Sequence, residues 1–440
     1  LGFGAGLPDP NRAEILLEGV ELPPEAKSRL TTQRSSYFIE LHAGQTKVGQ
    51  ELLSGKSDFR DLKPDIDVFS QNAEFTFDDK LVLLRSYLLH SPRGDESVSY
   101  SALSHIRPEK FEFDPHFYNY GGAFLYPLGG VIFALDQLSV INITSNIEFY
   151  LDHAIEINKL FLTGRTLNIL AFLGILVVLW RVGVEFFGFR VGILAAIAFG
   201  LSSLPWYLAI SARPHVFSAF WATLALFFLL RFIRDMNVRT YILSIGAMGI
   251  AMGSFLPTGL AAIAYPLLLW GHVGTRRWIG LSLVGGISVA TIYAATNPYA
   301  ILNLPEFYAN FMFHAASDRY DRAVFNLVKF SEFLPNIIYG LAFPTSVIGF
   351  VAMVWALLFQ TGVVRRLALF VLLAFVIAGG TVATSRVVVF LGPLICLFGA
   401  VGLDRACSSR FLRSTRAQVV FVALGLLPGF LSIAIYSTDA

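Results

Sequence analysis

From Leu160 onward the chain passes through one apolar run after another. Each is close to the roughly 20 residues that carry a helix across a bilayer. No other feature constrains the fold as tightly. The charge distribution agrees with it. Of the 440 residues 15% are charged and 55% hydrophobic, against about 25% charged in a soluble domain. Of 31 acidic residues, 19 lie in residues 1–120. The expected class is an all-α polytopic membrane protein with a polar N-terminal segment. A net charge of +2 gives no reason to expect a nucleic-acid partner.

Ten spans are expected, at about 162–181, 191–211, 214–231, 240–255, 257–273, 278–297, 335–359, 367–383, 386–403 and 417–436. Five short connections between them hold thirteen arginines: Arg181 and Arg190; Arg231, Arg234 and Arg239; Arg276 and Arg277; Arg365 and Arg366; Arg405, Arg410, Arg413 and Arg416. Against these stand three acids, Glu185, Asp235 and Asp404. By the positive-inside rule these connections are cytoplasmic. Residues 1–120 and 298–333 then fall on the outer side. The stretch 121–138 carries Pro127 and four glycines, and crossing there would break the parity. It is expected to lie in the interface as an interfacial or re-entrant helix. At Leu256–Pro257–Thr258 a sharp turn is expected, because proline interrupts a helix.

The expected organisation is therefore an outer polar region with short helices at 1–120 and an interfacial helix with its connection at 121–160. Core spans follow at 161–297, then an aromatic-rich outer loop at 298–333, then C-terminal spans at 334–440. The start, LGFGAGLPDPNR, reads as the outer end of a preceding span, so an N-terminal helix is expected before it. Cys396 and Cys407 fall in a span and a cytoplasmic loop, which argues against a disulfide or a zinc site.

Candidate chemistry concentrates between Leu88 and Gly130. Asp95 and Glu96 are adjacent carboxylates after Pro92–Arg93–Gly94. One could act as a general base while the other orients it; the plainer reading is a solvated loop pair. Asp114–Pro115–His116, followed by Phe117, Tyr118, Tyr120 and Tyr126, suits sugar binding or phosphate contact. It equally suits an interfacial aromatic belt with Asp114 capping a helix. Arg213–Pro214–His215 sits at a turn between apolar spans, where it could bind a lipid-linked phosphate or simply snorkel. Arg165 and Arg386, each opening a span, are similar candidates. Asp9 is a further acidic candidate, or a turn residue before proline. No GxxxxGK, HExxH or GxSxG pattern with usable context appears, and no metal ligands are assigned.

Taken in order, these residues resemble a family. Asp95–Glu96 about twenty residues ahead of FDPHFYNYGGAFLYPLG is similar to the first outer loop of GT-C fold glycosyltransferases. These are the polyprenyl-phosphate-sugar-dependent enzymes related to protein O-mannosyltransferases and lipid A aminoarabinose transferases. The run beginning GRTLNIL, with its arginine, and the turn motif SARPH two spans later look similar too. So do NPYAILNLPEFYANF and SRVVVFLGP. The resemblance covers about residues 88–400.

It implies a GT-C-like helical bundle with a large periplasmic or extracellular first loop and an active site on the outer face, in a prokaryotic inner membrane. It implies that a sugar leaves a polyprenyl phosphate for an acceptor hydroxyl in one inverting displacement. Asp95, with Glu96 beside it, would be the general base, and Arg213, His215 and Arg386 would stabilise the departing phosphate. Asp114, His116 and Tyr120 would contact substrate. The lipid-linked sugar is a substrate and no cofactor is implied, though a divalent cation stays open. Membrane lipid and a possible membrane-protein partner are the other expected contacts.

Two departures matter. The family's turn motif commonly holds an aspartate where this chain has Arg213 and His215. Its first span directly precedes the acidic pair, whereas roughly 90 polar residues do so here, which keeps Asp9 as a rival base. The alternatives are a lipid or small-molecule transporter or flippase, with broken helices and polar groups near mid-membrane, and a non-catalytic GT-C-like subunit.

Overall fold

The computed structural model describes residues 94–316, 327–381 and 385–408, with isolated residues outside these ranges. Among the described residues the chain is helical, and its only bridges of strand type are isolated. It opens with α1 (Gly94–Ser104), α2 (Gly122–Gln137), α3 (Ile147–Asp152) and α4 (Ala154–Phe186). Next come α5 (Phe189–Gly200), α6 (Ser203–Ala209), α7 (Pro214–Asp235) and α8 (Val238–Ser254). A 3-10 segment, Leu256–Ile263, leads to α9 (Ala264–Leu269), α10 (Thr275–Thr296), α11 (Tyr299–Leu302) and α12 (Leu304–Ala316). The last part holds α13 (Leu327–Gly340), α14 (Thr345–Phe359), α15 (Gly362–Thr381), a 3-10 segment Ser385–Leu391 and α16 (Gly392–Ser408).

The helices pack in a continuous series. α10 lies on α8, α8 on α7, α7 on α4, α4 on α5, α5 on α16, α16 on α14 and α14 on α15. Position in the series decides what each helix shows to its surroundings. The most apolar stretches of α7 and of the span ending in α16 are 67% and 78% buried, so these are central. That of α10 is 11% buried, with Ile279, Leu283, Val284 and Ile287 exposed. In water such a surface would be a liability, whereas lipid accepts it without cost. The chain is an integral membrane protein.

Nine of the ten expected spans fall largely within the described residues, and not all nine are straight crossing helices. Among the described residues five helices are long and apolar enough to cross, or up to seven if each bent pair is one span. The reasons are local. The run 191–211 is α5 and α6, bent by 63° across Leu201 and Ser202. The run 335–359 divides at Leu341–Pro344, with a bend of 110°. The run 257–273 is the 3-10 segment followed by the six residues of α9. Pro257 and Pro266 remove backbone donors there, so an apolar run yields no continuous α-helix. α8 has 17 residues, about 26 Å at 1.5 Å per residue. The stretch 417–436 falls outside the described residues.

α4 shows the opposite error. It is 33 residues long, beginning well before Leu162 with Glu156 and Lys159 in its first turns. At about 50 Å it outreaches the ~30 Å hydrocarbon core, so its polar first turns project beyond it. Two residues past its end lies Gly188, whose φ of 114° is open to glycine and strained for other residues. The Gly188 amide donates back to Gly183 O at 2.8 Å.

α2 is 16 residues, about 24 Å, and is not among the helices long enough to cross. Its start is fastened to the end of α8. Gly121 N donates to Ser254 O at 2.9 Å. The Asn297 side chain accepts from Gly122 N at 2.7 Å and donates to Gly253 O at 3.0 Å. A Cβ at Gly121 would stand 1.8 Å from Gly253 O, which explains the paired glycines of NYGGAF. Phe124, Leu125 and Leu128 then bury themselves with Ala102 and Tyr120.

Candidate active site

The acidic pair lies in the first turn of α1, where negative charge suits the helix dipole. Glu96 has no exposed surface, and neither has Arg165 of α4. They meet as a two-bonded pair: Arg165 Nε donates to Glu96 Oε1 at 3.0 Å and Nη2 to Oε2 at 2.9 Å. Oε1 also accepts from the backbone amide of Ala212 at 2.8 Å. Glu96 thus joins α1 and α4 to the turn that precedes α7.

Other bonds hold the same turn. Ser99 Oγ donates to Ala212 O at 2.6 Å. Asn168 Nδ2 donates to Ser211 O at 2.6 Å and Arg213 O at 2.8 Å. Tyr100 OH donates to Leu160 O at 2.7 Å, bringing α1 against the start of α4. Burial and the Glu96 charge raise the Tyr100 pKa well above its usual value, so it stays a neutral donor. The contact is close enough to require Gly164. A Cβ there would lie 2.5 Å from both Ala212 Cβ and Tyr100 Oη. Gly164→Ala is therefore expected to destabilise by about 1–3 kcal/mol, the usual result of overpacking. Thermal unfolding in detergent would register it; an unchanged midpoint would mean that the helices separate freely.

Arg213 is extended, with φ −127° and ψ 149°. Pro214 imposes this, because its ring excludes the helical region for the residue before it. Proline is also well placed in the first turn of α7, where its missing N–H goes unused. The Arg213 side chain is 3% exposed and lies over the Tyr207 ring, 5.9 Å from its centroid. His215 is buried between Phe255, ring centroids 4.6 Å apart, and Tyr120, at 6.2 Å.

The structure thus gathers Glu96, Arg213, His215 and Tyr120 around one turn. Arg165, a candidate phosphate ligand by sequence, is engaged by Glu96 instead. Arg386 is half-buried on the 3-10 segment Ser385–Leu391, which packs on α7. Asp9 and the side chain of Asp95 lie outside the described residues.

Asp114 and His116 belong to a second group, with residues of the 298–333 stretch. His116 Nδ1 is 3.1 Å from each oxygen of Glu306. Asp114 accepts from the His116 amide at 3.0 Å and from Tyr118 OH at 3.0 Å. Asn303 Nδ2 donates to Asp114 Oδ2 at 3.2 Å and also to Glu306 Oε2. The hydrogen bond to Glu306 raises the His116 pKa, partly opposed by burial. Burial and the two carboxylates raise that of Tyr118. Glu306 and Asn303 were missed by sequence reading. They lie within NPYAILNLPEFYANF, one of the stretches that carry the resemblance, but an acid near the start of an amphipathic helix is common for dipole reasons alone.

A cavity of about 1710 Å³ opens between α1, α2 and the beginning of α4. Ser97, Tyr100, His105, Tyr126, Phe133 and Phe161 are among its lining residues. Arg213 and His215 do not line it. α1 borders this space through Ser97 and Tyr100, whereas Arg213 lies in the packed turn before α7.

No protein-family model matches the chain, and no curated protein matches it. Solved structures do. The archaeal oligosaccharyltransferase AglB from Archaeoglobus fulgidus, in complex with an inhibitory peptide and a dolichol-phosphate, superposes with a TM-score of 0.50 at 15% identity. The match covers 78% of this chain and 51% of that one. The fold is a GT-C fold. ArnT from Cupriavidus metallidurans in the apo state gives a TM-score of 0.47 at 15% identity, covering 78% of this chain and 66% of ArnT. ArnT bound to undecaprenyl phosphate gives 0.47 at 16% identity, with the same coverage. The chain thus spans about half to two thirds of the length of these GT-C proteins. What is shared is the helical scaffold, and at such identities the site must be argued from this chain's own residues.

Proposed function

We propose that this protein is a membrane glycosyltransferase that moves a sugar from a polyprenyl-phosphate donor to an acceptor hydroxyl on the outer face. The observation that carries the reading is the buried Glu96–Arg165 pair. It fastens the helix bearing the acidic pair to the turn bearing Arg213 and His215, within a GT-C fold. AglB with dolichol-phosphate and ArnT with undecaprenyl phosphate support the donor class.

In this mechanism Asp95 takes the proton of the acceptor hydroxyl as its oxygen attacks the anomeric carbon. The bond to the donor phosphate breaks on the opposite side, and the anomeric centre inverts. The phosphate leaves as a stable anion and needs no second acid, unlike the leaving group of a glycosidase. Arg213 and His215 offset the charge that develops on it. Arg386 is a further cation for the phosphate. Glu96 is a positioning residue, its two oxygens committed to Arg165 and Ala212. The arginine-rich connections support an outer-side location for these groups, in this reading on a prokaryotic inner membrane.

The test uses the full chain in liposomes with a labelled polyprenyl-phosphate sugar. Arg213→Ala is expected to weaken donor binding roughly tenfold or more, in line with ~1.5–3 kcal/mol for a charged hydrogen bond. Arg213→Lys should restore part of it, since a point charge lacks the forked contact. Unchanged donor affinity in Arg213→Ala would remove Arg213 from the site. The bent pairs α5–α6 and α13–α14 also fit a transporter, in which broken helices surround a mid-membrane site. Donor that crosses the bilayer with its sugar still attached would favour that reading.

A further inference from the structure

We propose that the end of the bundle remote from the candidate active site holds the headgroup of an anionic phospholipid, bound by Arg365 and Arg366 of α15 with Arg276 and Arg277 of α10. Arg276 and Arg277 are the second and third residues of α10, and Arg365 and Arg366 the fourth and fifth of α15. α9 packs on both helices. A helix N-terminus already carries partial positive charge, so cations in a first turn are badly placed unless an anion joins them. The neighbouring sequence supplies none. Neither helix has an acid in its first turn. The nearest acids along the chain are Asp235 and Glu306 on either side of α10, and Glu332 and Asp404 on either side of α15.

A second observation singles out Arg366. Its Nη1 is buried and has no hydrogen-bond partner among the described residues. A buried donor without an acceptor is costly, and the oxygens of a phosphate match the guanidinium fork. The same guanidinium lies against the turn between α9 and α10, where a Cβ on Gly271 would stand 2.7 Å from Nη2. Three residues on, Gly274 gives α10 no side-chain cap, whereas Asn237 caps α8. The first amides of α10 are therefore open to an anion.

The surroundings select a lipid as the source of the phosphate. Trp270 precedes the turn and Trp278 follows it, their ring centroids 6.5 Å apart, and Trp270 is largely exposed. Tryptophans gather at headgroup level. Beyond them α10 exposes Ile279, Leu283 and Ile287, a surface along which acyl chains can lie. A headgroup between the arginines and chains on this face use both features, and basic pockets between spans are suited to such lipids. At 22 residues α10 is about 33 Å long. Its far end is followed by Asn297, which fastens α2, so the arginines lie at the opposite membrane surface. The positive-inside rule reads that surface as cytoplasmic. The inference does not depend on sugar transfer.

The experiment takes the full chain in detergent with equimolar phosphatidylglycerol and phosphatidylcholine, and reads retained lipid by native mass spectrometry. The wild type is expected to retain phosphatidylglycerol in preference, and its thermal midpoint should rise with the amount of that lipid. Arg366→Ala should weaken retention about tenfold or more, as for loss of a charged hydrogen bond. Arg366→Lys should recover part of it, because a point charge lacks the fork. Arg239→Ala, which removes an exposed arginine from a different connection, should behave as the wild type. Equal retention of the two lipids overturns the proposal. So does an Arg239→Ala loss as large as that of Arg366→Ala, which would show diffuse charge and no built site. Soluble glycerol phosphate that competes as well as phosphatidylglycerol at equal concentration would mark a free-phosphate site and overturn the lipid assignment. Should Arg366→Ala fail to elute as folded protein, the wild type and the double variant Arg276→Ala, Arg277→Ala decide: an unchanged lipid preference in the double variant overturns the proposal as well.

Discussion

Asp95→Asn is expected to lower sugar transfer by about 10²–10⁴-fold, the contribution of a positioned general base. Membrane insertion and thermal stability should not change. The proton of the acceptor hydroxyl must leave as its oxygen attacks, and asparagine cannot take it. The other member of the pair is unsuited to the task, because both oxygens of Glu96 are buried against Arg165 and the Ala212 amide. Asp9→Asn should cost much less. Initial rates with a labelled lipid-linked sugar, measured for both variants at matched protein levels, provide the check. If Asp9→Asn is inactive and Asp95→Asn is not, the base is Asp9 and the role of α1 is to support it.

The second large effect falls on stability. Arg165→Met leaves the Glu96 carboxylate buried with one backbone donor in place of three hydrogen bonds. Breaking one side of a buried pair costs about 3–5 kcal/mol. Glu96→Gln should destabilise less, since an amide oxygen still accepts from Arg165 and Ala212. The double variant Glu96→Gln, Arg165→Met should recover part of the Arg165→Met loss, because no uncompensated carboxylate remains. The two residues are in contact, so their effects should not add. Thermal midpoints in detergent for the two single variants and the double one test this. Additive losses would show that the pair is not a coupled unit. Glu96→Gln at a temperature where it is folded should lower kcat more than it raises KM, as expected of a residue that positions a base without binding donor.

The membrane class and the all-α character were legible without coordinates, because both rest on local composition. Hydropathy over a window reports whether a stretch can sit in lipid, and charge asymmetry reports on its flanks. The failure of α2 to reach span length was also legible, from Pro127 and the glycines around it. The resemblance of the motifs between Leu88 and about residue 400 pointed to the GT-C fold, which the superposition on AglB bears out.

What hydropathy could not supply was continuity. It counts apolar residues without asking whether the backbone stays helical through them. Hence α5–α6 and α13–α14 read as straight spans, although each is bent, and 257–273 read as a span although much of it is 3-10 helix. Pairing was equally out of reach. Glu96 and Arg165 are 69 residues apart, and each alone looks like an ordinary polar residue at a helix end. Asp114 and His116 were visible as a motif and Glu306 lay within another quoted stretch, but nothing local showed that His116 and Glu306, 190 residues apart, would meet. Local chemistry determined which residues could act. Only the packing of α1, α4 and the turn before α7, and of α12 on the loop after α1, decided which of them meet, because a charge's partner depends on distance in space and not along the chain.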